Sequence, residues 1–111
     1  ARLVPPVYVG PGASVGAGAR VGSLAVLGEG SRLGENALVE NAVVGARTTL
    51  GEGCVVTGSV VGDDAELGAG CEVRSLAVVG PGASLGVSNE LDHGLRIGAD
   101  QLIPDKALRF S

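Results

Sequence analysis

The sequence almost lacks aromatic side chains: its 111 residues include one Tyr, one Phe, no Trp and no Met. A core filled by large rings is therefore excluded, and the interior must be built from Val, Leu and Ala. The same scarcity removes the ring platforms on which single-stranded nucleic acids stack. Apolar residues nevertheless make up 45% of the chain, so we expect one folded domain over residues 1–111.

Charge is sparse and evenly spread. Charged residues are 18% of the chain and the net charge is −4. The arginines are scattered and form no stripe, so neither nucleic acid nor a membrane surface is expected as a partner. No apolar run approaches the roughly 18 residues of a membrane span. There is no signal peptide and the first residues are ARLVPP, so we expect a cytoplasmic protein of which this is one segment.

Cysteine and histidine are too few for a metal site. Cys54 and Cys71 cannot supply the usual four ligands of structural zinc, and His93 is the single histidine. We therefore expect no metal or cofactor in this segment. The two cysteines are interpreted as buried free thiols acting as small apolar side chains, and a disulfide between them is the alternative.

What the sequence has in excess is glycine, with 20 residues, and a repeat of about six residues. From Gly10 onward the chain divides into units such as GEGCVV and GAGCEV, and each unit ends in Val, Leu or Ile. A small residue precedes that aliphatic residue by two positions, which places both on the same face of a strand. Six residues cannot hold a helix, so the units are predicted to be short strands joined by tight turns.

The residues that follow the inward aliphatic residues form three columns, one for each corner of a triangular prism. The first two columns are mainly glycine, and the third runs Gly22, Glu40, Thr57, Arg74 and Asp92. Steps within a column are 17 or 18 residues. Both short units, ENAVV and TGSVV, fall on the side that begins at the third column, as expected if one coil contains three strands.

The side with the short units also carries an unusual outward row. Its outward positions are Val26, Val43, Val60 and Val78, and Leu24 and Leu76 lie beside them. Stacked strands would make these valines an apolar ridge on the order of 15 Å long. We interpret these six residues as candidate interface residues. The alternative is that they are ordinary exposed valines, which strands favour.

The tandem pattern of an aliphatic residue, Gly and a small residue resembles the hexapeptide repeat of left-handed parallel β-helices. The resemblance implies an all-β fold, namely a single-stranded left-handed parallel β-helix shaped as a triangular prism with about five to six coils. Left-handed coiling is implied by the resemblance alone, because crossovers between parallel strands are usually right-handed.

The opening VPPVYVGPGASVGAGARVG and the closing IPDKALRFS resemble the C-terminal β-helix of sugar-1-phosphate nucleotidyltransferases, such as mannose-1-phosphate guanylyltransferases and long glucose-1-phosphate thymidylyltransferases. This resemblance implies a preceding Rossmann-like catalytic domain that uses Mg²⁺. The G-x-G-x-R loop and the Lys-Pro of that domain have no match here, so no catalytic residue is carried over. The segment is expected to be non-catalytic, to contact its own catalytic domain and to support a homo-oligomer in nucleotide-sugar biosynthesis.

A second hypothesis is a small trimeric acyltransferase of the hexapeptide-repeat class. Those enzymes typically use a histidine as general base, and in this chain His93 would take that role with Asp92 orienting it. The extended loop and the coenzyme A contacts of such enzymes have no visible counterpart in the sequence. The alternative for His93 is a solvated corner residue.

Overall fold

A computed structural model describes residues 2–3, 7–22, 24–74, 76–91, 94 and 96–105. In these residues the chain forms short strands and no helix, so none of the described segments is a helix that could cross a membrane. The strands lie in three sheets of six, and every neighbouring pair in a sheet is parallel. Each strand pairs with the third strand after it, as expected for three strands to a coil.

The strand bounds follow this order around the prism. The first sheet contains β1 (Arg2–Leu3), β4 (Arg20–Val21), β7 (Leu38–Glu40), β10 (Val55–Thr57), β13 (Glu72–Val73) and β16 (Glu90–Leu91). The second sheet contains β2 (Val7–Val9), β5 (Ala25–Leu27), β8 (Val43–Val44), β11 (Val60–Val61), β14 (Val78–Val79) and β17 (Arg96–Ile97). The third sheet contains β3 (Ser14–Val15), β6 (Arg32–Leu33), β9 (Thr49–Leu50), β12 (Glu66–Leu67), β15 (Ser84–Leu85) and β18 (Leu102–Ile103).

The core is the column of inward aliphatic residues together with the small residues two positions earlier. Leu27, Leu50 and Leu91 are fully enclosed, and so are small residues such as Ala19 and Ala65. Towards the two ends, Val15 and Ile103 are only partly buried, because no further described layer covers them. The predicted hexapeptide-repeat architecture is therefore confirmed, and the solenoid agrees with a left-handed β-helix.

The glycine columns have a different physical reason from the one we expected. The position of these glycines at the corners predicts that they make the turns, yet the residue with left-handed φ lies two positions later, as at Gly30 after Gly28 and Arg47 after Gly45. A Cβ on Gly28 would lie 2.5 Å from the backbone nitrogen of Ala46 in the next coil. The column glycines are thus required because stacked corners bring two backbones into contact.

Candidate interaction surfaces

The outward row of the second sheet is apolar over most of its length. Val43 and Val60 are 43% and 44% exposed, Val26 is also exposed, and Val78 is half-buried. We call these four residues the valine ridge. Strand register places its members directly side by side and puts Arg96 after Val78. The ridge thus forms as a surface feature, and its role as an interface stays a prediction.

Tyr8 extends the valine ridge by one more strand. It pairs in register with Val26 and is 60% exposed. The repeat units are recognisable in the sequence only from Gly10 onward, so the pattern does not mark Tyr8, although Tyr8 precedes Val26 by 18 residues, which is one coil. An exposed tyrosine offers a large apolar surface with a polar tip, which is typical of protein interfaces.

The corner between the first and second sheets contains a notch. Leu24, Asn41, Gly58 and Leu76 each precede a buried small residue at this corner, in four successive coils. Leu24 is 62% and Leu76 78% exposed, whereas the short units place Asn41 and Gly58 between them. The result is an open depression of about 290 Å³, which we call the corner notch and whose lining includes Leu24, Asn41, Val43, Gly58, Val60 and Leu76. A second depression, of about 350 Å³, lies between Leu24 and Tyr8.

The two leucines that flank the corner notch have an unfavourable backbone conformation. Their φ angles are 62° at Leu24 and 68° at Leu76, in the left-handed region that favours Gly, Asn and Asp. Asn41 and Gly58 also have positive φ angles, 48° and 58°, and both residue types adopt this conformation readily. Leu24 and Leu76 are thus large, exposed side chains at equivalent positions on strained backbone, which keeps them among the candidate interface residues.

Both cysteines are fully buried free thiols, in stacked positions on neighbouring coils. The Cys54 Sγ donates a hydrogen bond to the Gly68 carbonyl oxygen at 3.0 Å, and the Cys71 Sγ donates to the Gly86 carbonyl oxygen at 3.0 Å. A hydrogen bond with Cys71, together with burial, raises the pKa of Cys54. The same bond with Cys54 lowers the pKa of Cys71, but both side chains are fully enclosed by the fold and are not accessible to a substrate. The interpretation as small core side chains therefore fits the geometry.

The same hydrogen bond recurs at other inward small positions. The Thr48 Oγ1 donates to the Gly62 carbonyl oxygen at 2.8 Å, and the Asn89 Nδ2 donates to the Pro104 carbonyl oxygen at 3.0 Å. In each case the acceptor is a corner carbonyl of the next coil. These side chains, like the two cysteines, therefore tie successive coils together.

An ion pair lies at an exposed corner on the far side of the second sheet from the notch. The Arg47 Nε donates to the Asp64 Oδ1 at 2.8 Å, and the Arg47 Nη2 donates to Oδ2 at 3.2 Å. Its hydrogen bond to Arg47 holds the pKa of Asp64 below its usual value. The neighbouring Asp63 accepts a hydrogen bond from the Ala46 backbone nitrogen. The two carboxylates thus serve corner structure and do not share a pocket.

His93 and Asp92, the residues of the acyltransferase hypothesis, lie outside the described residues. In the part of the chain that the structure describes, no cluster of three or more His, Cys, Asp or Glu residues could hold a metal ion. The apolar surface features of the described residues are thus the valine ridge, Tyr8 and the corner notch.

Three sheets of short parallel strands around an aliphatic core define a hexapeptide-repeat β-solenoid. Residues 3–109 match the family model described as the GMPPB C-terminal domain, and the chain belongs to that family. Comparison with curated protein sequences gave no match.

Solved structures with the same fold include transferases. A hexapeptide transferase family protein from Anaplasma phagocytophilum is 27% identical with a TM-score of 0.86, covering 92% of this chain and 64% of that one. The acetyltransferase domain of PglB from Neisseria gonorrhoeae, in complex with acetyl coenzyme A, is 22% identical with a TM-score of 0.86, covering 93% and 50%. A perosamine N-acetyltransferase variant from Caulobacter crescentus is 23% identical with a TM-score of 0.80, covering 96% and 51%. The chain thus spans between half and two thirds of these proteins.

Proposed function

We propose that this chain is the non-catalytic β-helix segment of a sugar-1-phosphate nucleotidyltransferase, of the type that makes GDP-mannose from GTP and mannose 1-phosphate. The observation that carries the proposal is the family match over residues 3–109. Nucleotidyl transfer belongs in this proposal to a separate Rossmann-like domain that uses Mg²⁺. The segment contributes a rigid prism that fixes the geometry of assembly, in the cytoplasm.

The valine ridge and the corner notch support a contact role. A contiguous apolar surface usually meets a partner, and stacked strands hold its side chains in fixed positions. We assign this surface to the catalytic domain of the same protein. The leucines that flank the notch provide the two largest exposed aliphatic side chains of this corner. Their burial against the partner would offset the cost of their backbone conformation.

The test measures binding between this chain and a GDP-mannose-forming catalytic domain by calorimetry. A ridge variant carries Val43→Lys with Val60→Lys, which places two charges in the centre of the contact and is expected to weaken binding at least tenfold, about 1.4 kcal/mol. A matched control carries Thr49→Lys with Glu66→Gln. Thr49 and Glu66 are exposed on the third sheet, one strand after Val43 and Val60, and the control changes net charge by the same amount.

The control is expected to bind like the native chain. Equal affinity of the ridge variant and the native chain would contradict the proposed surface. No binding of the native chain to the catalytic domain would contradict the proposed function itself.

A second candidate function is a hexapeptide-repeat acyltransferase that uses His93 as general base with Asp92. The fold shared with the hexapeptide transferase family protein, at 27% identity, favours it. This candidate predicts that coenzyme A binds the chain and that acyl transfer to a hydroxyl or amine acceptor is lost in His93→Ala. Absence of coenzyme A binding by calorimetry would exclude it.

A further inference from the structure

The outward row of the first sheet changes charge sign from one end of the prism to the other. Register places Arg20 beside Leu38, Leu38 beside Val55, and Val55 beside Glu72. Arg20 is exposed, and the other three residues are half-buried at the surface. The row is therefore basic, then apolar at two consecutive strands, then acidic. We call these four residues the charge-ordered row.

Such an order is complementary to itself when one copy is reversed. In this arrangement two copies meet face to face through the charge-ordered row. The two-fold axis between them runs parallel to the strands and passes midway between Leu38 and Val55. Rotation about this axis makes the two prisms antiparallel. Arg20 then faces Glu72 of the second copy, and Leu38 faces Val55 of the second copy. With parallel prisms the row would instead place Arg20 opposite Arg20 and Glu72 opposite Glu72, so repulsion disfavours that arrangement.

A second charge pair follows from the same axis. Arg74 lies at the corner after Glu72, to which its Nη1 is bonded at 3.0 Å. The axis places Arg74 opposite Gly22 of the second copy. The carboxylate of Glu40 lies over Gly22, where an added Cβ would contact it. Arg74 thus meets a carboxylate of the second copy, and each two-fold contact contains four pairs of opposite charge around an apolar centre.

The other two faces lack this combination. The third sheet also carries Arg32 and Glu66 on either side of Thr49, but its centre is polar. The second sheet has an apolar row without charges until Arg96. Specific interfaces typically have an apolar centre with charges at the rim, and of the three faces the first sheet has both.

We propose that the first sheet is a self-association surface at which two copies of this chain meet as antiparallel prisms. The inference deepens the proposed assembly function and rests on it for its purpose, and it leaves the valine ridge free for the catalytic domain. The described residues measure 32 × 26 × 22 Å, so one flat face offers at most about the 800 Å² per partner of a standard interface. Association is therefore expected to be weak and, because its charges are at the rim, sensitive to salt.

The test is sedimentation equilibrium of the chain over a hundredfold range of concentration, in about 0.05 M and 0.5 M salt. The native chain is expected to dimerise reversibly, and less at high salt. Arg20→Glu places two carboxylates opposite each other across the axis, and Glu72→Arg places two guanidinium groups opposite each other. Each variant alone is expected to lose roughly tenfold or more in association constant. An equal mixture of the two variants restores pairs of opposite charge, so heterodimers are expected to form with near-native affinity.

The matched control consists of two single variants on the third sheet, Arg32→Glu and Glu66→Arg. They make the same charge reversals and are expected to leave association unchanged. A native chain that is monomeric throughout would overturn the inference, as would variants that associate like the native chain or a mixture that stays monomeric. Loss of association in the control would overturn it also. None of these outcomes bears on binding to the catalytic domain, which is measured separately with the ridge variant.

Discussion

Leu24 and Leu76 occupy the same corner of the prism three coils apart, and both adopt a left-handed backbone, with φ of 62° and 68°. The intervening coils carry Asn41 and Gly58 at that position, which are residues suited to this conformation. Selection for stability alone would favour Asn or Gly at all four coils. In the proposed function, contact of the two leucines with the catalytic domain offsets the cost of this backbone conformation.

Replacing both leucines should change stability and binding in opposite directions. Leu24→Asn with Leu76→Asn relieves a conformational cost of about 1 kcal/mol or more per residue and removes side chains that make little contact in the isolated chain. Urea unfolding is expected to show a higher midpoint. Affinity for the catalytic domain is expected to fall roughly tenfold, because the apolar contact is lost.

The control for this variant is Leu102→Asn, at an exposed leucine of the third sheet whose φ is not left-handed. It should neither raise the unfolding midpoint nor change binding. A Leu24 and Leu76 variant that is less stable than the native chain would show that the leucines serve packing, contrary to our interpretation.

Substitution by alanine should destabilise the chain to different extents at two glycines of one corner. A Cβ on Gly51 would lie 2.6 Å from the backbone nitrogen of Ala69, whereas Gly53 has a φ of 71° with nothing within 4 Å of its added Cβ. Gly51→Ala therefore forces two coils apart, at a cost of about 1–3 kcal/mol, and Gly53→Ala adds only the left-handed penalty of about 1 kcal/mol. Thermal unfolding of both variants checks the order; a greater loss in Gly53→Ala would contradict the stacking argument.

The inward small positions offer a paired test of buried hydroxyl groups. The Ser31 Oγ is buried and has no hydrogen-bond partner among the residues the structure describes, whereas the Thr48 Oγ1 donates to the Gly62 carbonyl oxygen. Ser31→Ala is expected to be neutral or stabilising, because it removes an unpaired buried polar atom. Thr48→Val keeps the shape and removes the bond, at an expected cost of about 1–3 kcal/mol. Equal effects in urea unfolding would contradict the assigned bonding.

Much of this fold can be predicted from the sequence because its contacts repeat at a fixed interval. Every unit shows the same alternation of inward and outward positions, which buries Leu50 and Cys54 and exposes Val43. A period of 17 or 18 residues then places equivalent units on top of one another. The short units also indicate the side on which the notch forms. Local pattern and global fold agree at nearly every strand, which is why the prediction succeeds.

The parts that the sequence did not predict depend on contacts between layers or on rare backbone conformations. Tyr8 lies before the first glycine of the repeat, so no preceding glycine marks its unit. A left-handed Leu24 or Leu76 contradicts the preference of leucine, and no local signal marks it. The charge-ordered row becomes evident only when Arg20 and Glu72 are placed on one sheet by strand register.

The stacked thiols lead to a prediction about alkaline pH. Because its hydrogen bond with Cys71 and its burial raise the pKa of Cys54, the folded chain retains this proton at a pH where the unfolded chain loses it. The contribution to stability is fully present below the unfolded pKa of about 8.5, and above it stability falls by up to about 1.4 kcal/mol per pH unit. Because the two thiols titrate as a pair, the test variant combines Cys54→Thr with Cys71→Ala and should lack this part of the alkaline decline. It should fold, because Thr48 makes the equivalent bond in another unit and alanine fills the same inward position at Ala65. Urea unfolding of both chains between neutral and alkaline pH measures the difference; parallel curves would show that Cys54 is not held protonated by the fold.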